Sequence, residues 1–192
     1  MPFRRTIERL FPEPAVRRYL AILSLLFAAT FPAGLYATHP ALKEIAKMFV
    51  GMMAPLGDMS GGTVFLLVLL NNVFASLVMM LSGLLAGIIP VVSVGFNGFA
   101  MGLIYSHLSG TAGHGQALQE LAPHAVFEVP ALLIVASYGL WLGVGAVRRF
   151  RGKEARPIPD MLNHAVVRYF TLVFPLLIGA SAAETILFLR GG

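Results

Sequence analysis

The sequence predicts an all-α protein: a polytopic membrane helix bundle of about five transmembrane helices with a cytoplasmic N-terminus. Three observations carry this. Apolar residues make up 57% of the 192 and charged residues 12%, with a mean hydropathy of +0.80; a soluble domain is nearer about 45–50% apolar and about 25% charged. Apolar runs recur along the chain at roughly the 20-residue length that a helix needs to cross hydrocarbon. Basic residues cluster between those runs, in the pattern of cytoplasmic segments.

Residues 1–18 form a basic cytoplasmic segment with Arg4, Arg5, Arg9, Arg17 and Arg18; residues 19–192 form one transmembrane helical domain. The first span is placed at 19–36, "YLAILSLLFAATFPAGLY", which reads as a retained helix because no small-residue cleavage site follows it. Residues 37–63 are mixed. Leu42, Ile45, Ala46, Phe49, Met52 and Met53 recur at helical spacing, predicting a short amphipathic helix at the outer interface or packed on the bundle. The second span is placed at 64–89 and the third at 91–108. Residues 109–123, "SGTAGHGQALQELAP", lack Lys and Arg and are predicted to be an outer loop. The fourth span is placed at 124–147 and the fifth at 165–189, joined by the Pro-punctuated basic segment that ends "EARPIPDM".

Charge tests the count. Of the 14 basic residues, 11 lie before the first span or between the fourth and the entry to the fifth, the latter being Arg148, Arg149, Arg151, Lys153, Arg156 and Arg168. Five crossings place both groups on the cytoplasmic side and leave Lys43, Lys47 and Arg190 outside. The third run must therefore cross, although it holds "FNGFAMG", whose Asn-Gly pair would signal a hairpin turn in a soluble protein. The net charge of +5 and pI near 10.0 thus fit cytoplasmic loops facing anionic lipid. No aromatic-basic interleaving points to nucleic acid. The absence of cysteine excludes disulfides, thiolate metal sites and cysteine nucleophiles.

Ionisable groups at bilayer depth are costly and mark function by default, while amides and carboxyls there also read as structural links between helices. Asn71, Asn72 and Ser76 lie in the second span, Ser93 and Asn97 in the third, His124 and Glu128 in the fourth, and Ser181 and Glu184 in the fifth. His124 and Glu128 are four apart and share one helix face. Pro130 frees the carbonyl of Val126 and bends the helix beside them. Both carboxyls are expected at similar depth on the outer side. Asn72, Asn97, His124, Glu128 and Glu184 are therefore predicted to form a polar cluster, with Asn97 facing the His-Glu face of the fourth helix. Gly83 and Gly87, Gly98 and Gly102, and Gly139 and Gly143 each stand four apart, the spacing that lets helix backbones approach closely. Gly98 and Gly102 are expected to admit the fourth helix.

These features together resemble the stage II sporulation protein M family of integral membrane proteins. The resemblance lies in "LNNVFASLVMMLSGLLAGIIPVVSVGFNGFAMG" (70–102), "LAPHAVFEVPALLIVASYGLWLG" (121–143) and the Glu184 of "SAAETIL", and it covers about two-thirds of the chain. Asn72, Asn97, Gly98, Gly102, His124, Glu128, Pro130 and Glu184 fall on the family pattern. The resemblance implies an all-helical plasma-membrane protein. The family's best-known member works beside peptidoglycan-degrading partners during engulfment of the forespore, and no catalytic residue carries over.

Three functional readings follow. The first is a non-enzymatic scaffold or assembly factor in cell-envelope remodelling, partnered by the lipid bilayer, other envelope or membrane proteins and a possible second copy of itself, with no cofactor and no nucleic acid. The second is a proton-coupled transporter or channel subunit that uses Glu128 and His124. The third is an intramembrane metal-dependent hydrolase. "HAVFE" is not HExxH and supplies two ligands, so that reading needs a third from Glu184 or His107. The first reading assigns neither catalytic nor metal residues.

Overall fold

A computed structural model describes residues 2–51, 59–154 and 156–191, and every element among them is helical. A short helix α1 (Pro2–Leu10) precedes α2 (Pro14–Leu35), the first of five helices long and apolar enough to cross a membrane. Pro14 suits the first turn of α2, where its missing N–H would have no intrahelical partner. Then come α3 (Pro40–Gly51), α4 (Gly61–Ser82), α5 (Ile88–Ala112) and α6 (His114–Pro123). A π-helical turn, His124–Glu128, runs into α7 (Val129–Phe150). The last span joins α8 (Ile158–Arg168), a second π-helical turn (Tyr169–Val173) and α9 (Phe174–Gly191).

Three boundaries differ from the sequence reading. The second span stops at Ser82 rather than 89. Gly83 to Gly87 form a turn, with Ala86 at φ 57 and Gly87 at φ 75. Left-handed backbone suits glycine and strains alanine, so two residues read as helical instead reverse the chain. The third span extends to Ala112, and the predicted outer loop 109–123 is helical, its second half forming α6. Only Gly113, at φ 88, interrupts it. The helix predicted in the first outer segment is α3. It rests on α5 through the fully buried Ala46 and leaves Ile45 and Met48 exposed. Met52 and Met53 lie outside the described residues.

The buried apolar residues centre on α7. Val135, Tyr138 and Leu142 pack with Val16 of α2, Met80 of α4 and Met161, Ala165, Tyr169 and Val173 of the last span. The outer faces of α4 and α5 are apolar and exposed, as at Leu66, Leu70, Phe74, Val92 and Phe96. That is the arrangement lipid requires. The ends of the bundle are chemically distinct. Glu13 Oε1 lies 2.9 Å from Arg156 Nη1, which brings the N-terminal basic segment and the basic 148–156 segment to one end. At the other end the start of α4, at Gly61, lies against Leu189 of α9.

Glycine governs two close approaches. Along the seam between α2 and α5, Gly95 sits on Leu26, Gly98 on Phe27 and Thr30, and Gly102 on Phe31 and Leu35. The numbers rise together, so the two helices are parallel. A side chain at Gly98 or Gly102 would run into the carbonyl of Phe27 or Phe31. The partner of Gly98 and Gly102 is thus the first spanning helix, not the fourth as the sequence suggested. The fourth helix meets the α4–α5 turn instead: Gly139 and Gly143 press on Gly83, and Gly143 also on Gly87. Gly83 and Gly87 therefore serve close packing from a turn, not from a helix interior.

Candidate functional site

The site is built at the start of the fourth span. Proline has no N–H, so Pro130 removes the donor that the carbonyl of Val126 would otherwise receive. The backbone answers by widening: Val129 N–H donates to the carbonyl of His124, a five-residue step. Such π turns recur at functional sites because they re-aim side chains without ending the helix. Here the turn carries His124 at one end and Glu128 at the other.

Side chains from three spans meet there. His124 Nδ1 lies 2.7 Å from Glu128 Oε2, and Asn72 Nδ2 of α4 donates to Glu128 Oε1 at 2.7 Å. Glu184 of α9 brings Oε1 to within 3.4 Å of His124 Nδ1. One ligand atom from each of His124, Glu128 and Glu184 lies within 4.8 Å of the other two. The side chains are 40%, 26% and 10% exposed respectively, a gradient that opens toward His124. Glu184 Oε1 is buried and accepts no hydrogen bond among the described residues. His124 Nδ1 carries at most one proton, and its short contact with Glu128 leaves nothing for Glu184. Neither carboxylate is paired with Lys or Arg among the described residues.

Four of the five residues predicted to cluster therefore do so: Asn72, His124, Glu128 and Glu184. Asn97 does not. It is exposed on α5, and its amide donates to the Ser93 carbonyl at 2.8 Å, one turn back on its own helix. The reason is helical phase. Pro90, Val94, Gly98 and Gly102 are the buried line of α5, and Asn97 stands one residue off it. Asn71 is likewise exposed beside the inward-facing Asn72. Of the two candidates for a third group beside His124 and Glu128, Glu184 arrives, whereas His107 lines a separate cavity with Ala37, Ala46 and Leu103.

Two contributors escaped the sequence reading. Gly179 of α9 leaves room for the ring of Phe127, which lets the π turn seat against α9 and brings Glu184 to it. Its signal was a lone glycine in an apolar run without a partner four residues away. Tyr169 is buried and shares a 2.8 Å hydrogen bond with Ser76 of α4, one turn below Asn72. A mid-span tyrosine needs a partner for its hydroxyl, and that need was the available signal.

The model of one protein family, described as Stage II sporulation protein M, matches residues 20–187. No curated protein and no solved structure matches the chain. The matched stretch runs from within the first spanning helix to within the last and includes every residue of the cluster. The chain is an integral, multi-pass membrane protein of the stage II sporulation protein M family.

Proposed function

We propose that this protein is a non-enzymatic scaffold or assembly factor for cell-envelope remodelling in the plasma membrane, its basic end in the cytoplasm and its C-terminus outside. The family match from 20 to 187 carries the reading. The orientation follows from the positive-inside rule, since the arginine-rich segments share one end of the bundle. The proposed docking element for envelope proteins is α6. It lies at the opposite end, carries no Lys or Arg, and exposes Gln116, Leu118, Gln119 and Glu120 while burying Ala117, Leu121 and Pro123. Cross-linking in intact cells tests this. Leu118→Lys combined with Glu120→Lys on the exposed face of α6 should abolish capture of envelope partners, whereas Glu128→Gln preserves most of it. The opposite pattern overturns the scaffold reading.

One observation favours a second reading. The 2.7 Å contact of His124 and Glu128, with Glu184 beside it, is the type of array that relays protons across membranes. A proton-coupled transporter or channel subunit predicts pH-dependent flux in proteoliposomes that Glu128→Gln abolishes. Flux unchanged in that variant rejects it.

A further inference from the structure

We propose that His124, Glu128 and Glu184 form a binding site for one divalent transition-metal ion, zinc in the first instance. The inference does not depend on the scaffold reading. It rests on the geometry of these three side chains and on one atom that the fold leaves without a partner.

That atom is Glu184 Oε1. The side chain is nine-tenths buried, and this oxygen faces the His124–Glu128 pair without accepting a hydrogen bond. A buried carboxylate oxygen left unpaired is expensive, and buried charges are as a rule paired or bound to metal. Among the described residues the only basic group in the cluster is His124, and it is already held by Glu128. In the forms that bind metal, two ionised carboxylates and one neutral imidazole, the set carries two negative charges. A divalent cation cancels both.

The donor set also selects the ion. Imidazole suits zinc and its first-row neighbours, whereas calcium and magnesium prefer more numerous oxygen ligands. One nitrogen and two oxygens make three protein ligands, the number that leaves a fourth position of a tetrahedral zinc open. Bond lengths of about 2.0–2.2 Å put tetrahedral ligand atoms roughly 3.3 Å apart. His124 Nδ1 is 2.7 Å from one carboxylate and 3.4 Å from the other, which brackets that spacing. The widest separation, within 4.8 Å, closes by rotation of carboxylates. Zinc takes the place of the proton between His124 Nδ1 and Glu128, which passes to Nε2 of the ring or to solvent, and supplies Glu184 Oε1 with a partner.

The surroundings of the three ligands support the assignment. Asn72 donates to Glu128 Oε1 and so fixes the carboxylate with Oε2 turned to His124, the role that partners beyond the ligands play in metal sites. The 40% exposure of His124 gives an ion a way in from the end opposite the basic 148–156 segment.

The test uses the full-length, tag-free protein in detergent, stripped with a chelator and titrated with zinc, with bound metal measured by elemental analysis. Wild type is expected to bind one zinc per chain. The isosteric Glu184→Gln and His124→Ala are expected to lose that site. Asn72→Ala should keep the stoichiometry with affinity weakened about 10–100-fold, and His107→Ala should match wild type. Cobalt in place of zinc should give the visible absorption of a tetrahedral ion in wild type and not in Glu184→Gln. A wild type that holds well below one zinc per chain overturns the proposal. So does zinc retained equally by Glu184→Gln and His124→Ala. The wild-type titration decides even where a variant fails to fold.

Discussion

Where the first and third spanning helices run side by side, α2 and α5 touch through backbone: Gly98 and Gly102 remove every atom that would hold them apart. Where α4, the π turn before α7, and α9 converge, the helices meet through long polar side chains, and one carboxylate oxygen ends without a partner. Both regions join spans within one bundle. The first does so with van der Waals contact, the usual adhesive between helices in lipid. The second brings costly groups together and leaves one unsatisfied, which is a poor way to fasten helices and a good way to hold something else. The glycine seam reads as structure and the polar junction as a site.

Substitutions separate the two regions, beginning with the largest effect. Gly102→Leu drives a side chain into the Phe31 carbonyl and Leu35. It should lower stability by about 2–3 kcal/mol or prevent assembly, as overpacking against backbone does. Thermal unfolding in detergent measures it, and a wild-type midpoint would show that α2 and α5 do not pack as closely as described. Asn72→Ala should cost about 1 kcal/mol, the upper range for a polar contact between membrane helices, because Glu128 then loses its donor from α4. Ser76→Ala and Tyr169→Phe each remove the same 2.8 Å hydrogen bond. Each should cost about 0.6 kcal/mol, and the double variant should cost little more than either alone; full additivity would mean the bond contributes nothing. Asn97→Leu should change stability by less than about 0.5 kcal/mol, as exposed positions do. A large loss there would return Asn97 to the interior and erase the distinction between the two regions.

Much of this contrast was legible in the sequence. The charge clusters and apolar runs specify five crossings because lipid enforces both rules strongly. His124, Glu128 and Glu184 could be expected to meet because each is an ionisable group in an apolar run at matching depth. Asn97 shows where such reasoning stops. A lone amide can turn back onto its own helix, as Asn97 does onto Ser93, so its presence in a span does not say which way it faces. Nor does a GxxxG spacing name the partner helix. Gly98 and Gly102 fit α2, while Gly139 and Gly143 fit the turn at Gly83 to Gly87. That turn was hidden because its residues, Leu84, Leu85 and Ala86 between glycines, are as apolar as the helix before them. The π turn was half visible: Pro130 announced a disturbed backbone, but not that it would widen rather than kink.

The most direct test of the division between fastener and site is the unfolding of Glu184→Gln beside wild type, first metal-free and then with zinc. Glu184 Oε1 accepts no hydrogen bond among the described residues, and Glu184→Gln removes a buried carboxylate that is costly when unpaired, so without metal the variant should unfold no lower than wild type. Zinc should then raise the wild-type midpoint alone, because a ligand stabilises only a protein that binds it. A Glu184→Gln protein that already unfolds well below wild type in metal-free buffer, with zinc shifting neither, would contradict the account and make Glu184 a fastener.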